Sequence, residues 1–126
     1  MKTIIQTPKA PAPIGPYNQA ILVDNTLYAS GQIALNPKTM ELVNRDIETE
    51  TTQVMKNLSE VLKAAEMDFA DVVKTTIFLY DMEDFSKVNE VYGNYFDYKI
   101  APARETVQVA ALPKNVRVEI SVIAIR

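Results

Sequence analysis

Val72-Val73-Lys74-Thr75-Thr76-Ile77-Phe78-Leu79-Tyr80 carries β-branched and aromatic residues on both parities, so a strand built from it has no face suited to water. It belongs inside a sheet. Helical patterns flank it on either side. From Asp46 to about Glu66 the apolar residues Ile47, Val54, Leu58, Val61, Leu62 and Ala65 recur at helical spacing, with Asp46 placed to cap the amino end. After the strand, Asp81, Glu83 and Asp84 put negative charge where a second helix would begin, and Phe85, Val88, Tyr92, Tyr95 and Phe96 form its apolar stripe.

Further out, the proline-rich segment from Pro8 to Pro16 can hold neither a helix nor a central strand and reads as a stiff, extended connection. Gln19 to Val23 and Thr26 to Ser30 are short β-type runs around Asp24-Asn25, which predicts a tight hairpin. Gly31 follows the second run, and Asn36-Pro37-Lys38-Thr39 marks a turn. At the carboxyl end, Thr106 to Ala110 and Val116 to Ile125 read as strands. The short link Ala111-Leu112-Pro113-Lys114-Asn115 predicts a β-hairpin between them. Val116, Val118, Ile120 and Val122 alternate with Arg117, Glu119 and Ser121, the period of a half-buried strand, but Ile123 and Ile125 make the second face apolar as well.

The predicted order is β-β-β-α-β-α-β-β, a single α+β domain over residues 1–126 with a mixed sheet of about six strands and two helices on one face. Two helices cannot cover both faces. The uncovered one predicts self-association.

Composition narrows the chemistry. The chain has no cysteine, histidine or tryptophan, which removes thiolate nucleophiles, disulfides, imidazole catalysis and the usual zinc and iron sites; neither metal nor cofactor is expected. A proton must then move through Asp, Glu, Lys, Tyr, a hydroxyl, water or the substrate. The net charge of −3 and pI near 4.9 argue against nucleic-acid binding. No apolar run approaches a membrane span, and Met1 to Pro8 lacks the apolar core of a secretory signal, so a cytoplasmic location is expected.

In Ala101-Pro102-Ala103-Arg104, Pro102 stiffens the chain just before an arginine that opens a strand. A guanidinium fixed in this way suits a carboxylate, and it suits a surface ion pair equally well. Glu119, in the middle of the last strand, is either a salt-bridge partner or a carboxylate able to orient or deprotonate water. The hairpin about Pro113 would set Glu119 opposite Val107, on the order of 10 Å from Arg104. Arg104 and Val107 have opposite parity, however, so convergence on one pocket requires irregular backbone after Pro102 or a second subunit. Tyr17 after Gly15-Pro16, Ser30-Gly31 at a strand end, and Asn89 in the second helix could each line a cavity or simply pack.

Taken together, Ala-Pro-Ile-Gly-Pro-Tyr (12–17), Ala-Ser-Gly-Gln-Ile (29–33), Val-Val-Lys-Thr-Thr-Ile-Phe (72–78), Val-Asn-Glu-Val-Tyr (88–92), Ala-Pro-Ala-Arg (101–104) and Val-Glu-Ile-Ser-Val-Ile-Ala (118–124) resemble the RidA/YjgF family over nearly the whole chain. The resemblance implies a chorismate-mutase-like fold and a homotrimer with sites at subunit interfaces. It also implies hydrolysis of 2-imino or enamine acids, such as 2-iminobutanoate and 2-iminopropanoate, to 2-keto acids and ammonia. By the same likeness Arg104 grips the substrate carboxylate with help from the backbone of Gly31, and Glu119 holds the attacking water. Tyr17, Ser30 and Asn89 line the site, Tyr17 lent by a neighbouring subunit. The family commonly has Ser-Cys-Val after the arginine, where this chain has Glu105-Thr106-Val107. Thr106 replaces the cysteine: a role played by the backbone carbonyl tolerates the change, whereas a role for the thiol would alter activity or specificity. That departure keeps a second reading open, a trimeric sensor of small carboxylates. A ribonuclease role, also attached to members of the family, sits badly with the acidic charge and the lack of histidine.

Overall fold

A computed structural model describes residues 1–126. Strands β1 (Lys2–Ile5), β2 (Ala20–Val23), β3 (Thr26–Gln32), β4 (Val72–Leu79), β5 (Ala103–Gln108) and β6 (Val118–Ile125) form one mixed sheet in the order β1-β2-β3-β6-β4-β5. Helices α1 (Ile47–Ala64) and α2 (Phe85–Gly93) separate β3 from β4 and β4 from β5. The predicted α+β order holds, and β4 lies inside the sheet as its two-faced composition requires.

The core lies between the helices and one face of the sheet. Val118, Ile120, Val122 and Ala124 of β6 and Thr75, Ile77 and Leu79 of β4 point into it, against Val54, Leu58, Val61 and Leu62 of α1 and Val88 and Tyr92 of α2. Truncating any of the large aliphatic residues to alanine is expected to cost roughly 2–5 kcal/mol. The α1 cap is the predicted one: Asp46 accepts the Thr49 N–H at 2.7 Å. The Thr49 hydroxyl, with that backbone bond second, lowers the pKa of the Asp46 carboxyl to about 2. Asp81 caps something smaller than expected, the turn Met82–Asp84, by accepting the Glu83 N–H at 2.9 Å. The second helix ends at Gly93; Tyr95 and Phe96 reach the core from the turn beyond it, each with its ring centre 5.3 Å from that of Phe69.

The predicted carboxyl-terminal hairpin does not form. β5 runs parallel to β4, with Thr75 opposite Arg104, whereas β6 runs antiparallel between β3 and β4. The strand limits move accordingly, β5 starting at Ala103 and β6 at Val118. The cause is burial. Val118–Ile125 is the more apolar strand and takes a central place, while Ala103–Gln108 is polar and exposed and takes the edge. α2 supplies the crossover that a parallel neighbour of β4 needs. Glu119 and Val107 consequently flank Phe78 from either side instead of facing each other.

The face away from the helices, called the open face below, exposes Ile4, Tyr28, Tyr80, Val107 and Ile125, with Phe78 and Ile123 half-buried among them. No helix is long and apolar enough to cross a membrane.

Candidate active site

Arg104 opens the edge strand β5 opposite Thr75, a residue pointing toward the helices, and so leaves the sheet on the helix side. Its Nη1 donates to Asn89 Oδ1 at 2.6 Å. The guanidinium carbon lies 5.0 Å from the ring centre of Tyr92 and 5.6 Å from that of Phe85. The rings can bind a cation through their π faces without neutralising it. Tyr92 is itself held by a 2.8 Å bond to the Thr75 hydroxyl, and burial pushes its phenol above the ordinary range. Every salt bridge in the protomer involves other cations, so Arg104 has no carboxylate partner in its own chain. Beside it, Asn89, Phe96, Tyr98 and Pro102 bound a cleft of about 350 Å³. Thr106, two residues along the same side of β5, buries a hydroxyl oxygen that has no hydrogen-bond partner.

Glu119 lies on the other side of the sheet. It alternates with the inward-facing Val118 and Ile120 and therefore points to the open face, opposite Phe78. The register between β3 and β6 shifts between Ala29 and Gln32, which makes Ser30-Gly31 a bulge beneath the Glu119 side chain. A Cβ on Gly31 would overlap Glu119 Oε2 and sit 2.8 Å from its Cδ, so the missing side chain is what makes room for the carboxylate. Burial pushes the Glu119 carboxyl above its usual range.

The cleft over Glu119 measures about 610 Å³ and includes Ile14, Tyr17, Ser30 and Lys114. Ser30 donates its hydroxyl proton to Asn18 O at 2.6 Å, which leaves it only lone pairs for a ligand. The Tyr17 hydroxyl accepts the Ile14 N–H at 3.2 Å and keeps its proton to donate.

The structure thus brings Tyr17, Ser30, Gly31 and Glu119 into one cleft and Asn89 and Arg104 into another, on opposite sides of the sheet; Thr106 lies on the Arg104 side but does not line that cleft. Tyr17 shares a cleft with Glu119 of its own chain. Arg104 and Glu119 do not meet within a protomer.

Gln19 escaped the sequence reading. Its buried side chain donates to the carbonyls of Thr7, Ala10 and Pro11 at 3.0, 3.2 and 2.9 Å and accepts the Thr7 N–H at 2.8 Å, fastening the proline segment that carries Ile14 and Tyr17. A signal did exist. A segment rich in proline has more carbonyls than N–H groups, and an amide side chain at the head of the apolar run that follows is a natural donor.

The family described as Endoribonuclease L-PSP, to which the RidA/YjgF proteins belong, matches residues 7–126. This chain is a member of that family. It is 51% identical over 126 residues to the human 2-iminobutanoate/2-iminopropanoate deaminase, covering 100% of this chain and 91% of the human one. Among solved structures it is similar to YyfA of the Rid protein family from Yersinia pestis, with TM-score 0.96, 51% identity and 100% of both chains covered. It is also similar to E. coli TdcF crystallised with bound serine, with TM-score 0.92, 40% identity and 98% of each chain covered. Membership accounts for the α+β architecture.

Proposed function

We propose that this protein hydrolyses 2-imino acids to 2-keto acids and ammonia at sites shared between copies of the chain in a homotrimer. The observation that carries the reading is the Arg104 guanidinium, pinned by Asn89 and two aromatic rings at a sheet edge yet left without an acidic partner. Its fork fits a carboxylate bidentately. The name of the human relative and the serine held by TdcF point to small amino-acid-derived substrates.

Arg104 holds the substrate carboxylate, and Glu119 of the neighbouring subunit takes a proton from water as the oxygen adds to the imine carbon. Glu119 returns that proton to the nitrogen of the carbinolamine, then takes the hydroxyl proton as the C=O bond forms and the C–N bond breaks, and ammonia leaves with the 2-keto acid. An imine carbon is already electrophilic, so placement of the water supplies much of the acceleration. A carboxyl raised by burial is a better base than an ordinary one near neutral pH. Tyr17 donates to the substrate, and the Gly31 backbone and Thr106 complete the pocket wall. The apolar open face is the surface through which copies associate, and a cyclic trimer closes it. A cytoplasmic setting, where dehydratases release such imines, is part of the reading.

Complementation tests it. Arg104→Ala and Glu119→Gln should each lower turnover of 2-iminobutanoate generated by a threonine dehydratase about a hundredfold or more. Equal amounts mixed, dissociated and reassembled should recover about a quarter of wild-type activity, because one site in four draws both functional groups from the intact copies. Correctly assembled but inactive mixtures would overturn the shared site. Saturable 2-keto acid binding without acceleration by the wild type would make the protein a sensor instead.

A further inference from the structure

Glu50 is fully buried on α1, and the mechanism above does not use it. Its Oε2 accepts the backbone N–H of Arg117 at 2.8 Å and its Oε1 accepts Arg117 Nε–H at 2.8 Å. Arg117 spends its remaining reach on Asn44 O at 2.8 Å, and its own carbonyl accepts the Tyr80 N–H at 3.0 Å. A buried carboxylate is retained only where it is well paired, and this one is paired entirely by one residue. That residue stands two positions before Glu119.

The chain entering β6 needs such an anchor. Lys114 and Asn115 lie consecutively in the left-handed region, at φ 55° and 56°, which a residue with a Cβ resists. Strain of this kind persists only where the surroundings hold it. The loop's own bonds are modest, Asn115 N–H to Leu112 O at 3.0 Å and Val116 N–H to Pro113 O at 3.3 Å. Arg117 also shares the parity of Glu119, and on a regular strand it would face the open side. It reaches α1 instead, and the strand begins only at Val118.

We propose that Glu50 is a positioning residue: by gripping Arg117 at two points it holds the strained Lys114-Asn115 turn and thereby sets the Glu119 carboxylate over Gly31. The inference rests on Glu119 being the base. The charged or titratable groups facing Glu119 are Lys114 and Tyr17 of its own cleft and, in the assembled site, Arg104 of the neighbour. None of them touches Glu50, so its effect must travel through the backbone.

The full-length trimer carrying Glu50→Gln tests this, because the amide can still accept the Arg117 N–H but presents a donor to Nε–H. The expected result is a fall in kcat of about tenfold with KM, set by Arg104, nearly unchanged. The Glu119 titration, followed by NMR of its side-chain carboxyl carbon, should move down toward the ordinary carboxylate range as the group loosens into water. Asn115→Gly, which tolerates the left-handed turn, should restore part of kcat in that background. If Glu50→Gln fails to fold, Arg117→Lys, which keeps the backbone bond and loses the fork, takes its place with the same expectations. A lower Tm with kcat, KM and the Glu119 titration all unmoved would overturn the proposal. The NMR readout needs no turnover, so an inactive wild type would sink the deaminase reading without deciding this one.

Discussion

The clefts at Arg104 and at Glu119 are built in opposite ways. Arg104 stands on a polar edge strand, exposed, and is steered by one hydrogen bond and two ring faces. Glu119 stands on a central strand, half-buried, fitted against a glycine and two residues beyond Arg117, whose guanidinium pairs with the buried Glu50. A group that only has to capture a carboxylate can sit where it costs the fold little. In the proposed reaction the base has to be kept out of water to have a useful proton affinity, and the same desolvation that raises its pKa works against stability.

The contrast breaks most directly at Arg104. Arg104→Ala should lower kcat/KM for 2-iminobutanoate about 10³-fold, on the order of 4 kcal/mol for two charge-assisted hydrogen bonds, with Tm little changed because the side chain is exposed and gives up only its contacts with Asn89 and the rings of Phe85 and Tyr92. A large drop in Tm would show that the edge is structural after all. Glu119→Gln should cost about 10²-fold in kcat, with KM largely kept, and should raise Tm by a few degrees. The direction follows from linkage. Glu119 is raised in the folded state, so folding favours its proton, and the associated stability is full below the ordinary carboxylate pKa and lost as pH rises through the folded value. Unfolding measured across that window should show this loss in the wild type and not in the glutamine variant. Kcat should rise with pH over the same interval. The smallest effect sharpens the comparison: Asn89→Ala removes the 2.6 Å bond but leaves both rings, and should raise KM about tenfold with little change in kcat. An equal loss in kcat would mean that Asn89 touches the reacting atoms.

Much of the fold was legible because it depends on local pattern. The period of α1, the Asp46 cap, the Asp24-Asn25 hairpin and the two-faced composition of Val72–Leu79 each express a neighbour-to-neighbour rule, and each holds. The hairpin assigned to the last two strands failed because a short link favours adjacent pairing, whereas β6 is too apolar to sit beside a polar edge strand and inserts between β3 and β4. Glu50 and Arg117 were not singled out as anchors, since they lie 67 residues apart, whereas Gln19 bonds a proline segment only 8 to 12 residues away. The polar carbonyls and the strained turn they hold exist only once the chain has folded.

By itself the sequence determined the element order, the location of the core helices, the absence of thiol and imidazole chemistry, and the residue types able to bind a carboxylate and move a proton. Tertiary structure alone decided that Arg104 and Glu119 leave the sheet on opposite faces. Side-chain direction in a strand follows its register with its neighbours, and the register here was set by which strand could bury more apolar surface at the centre.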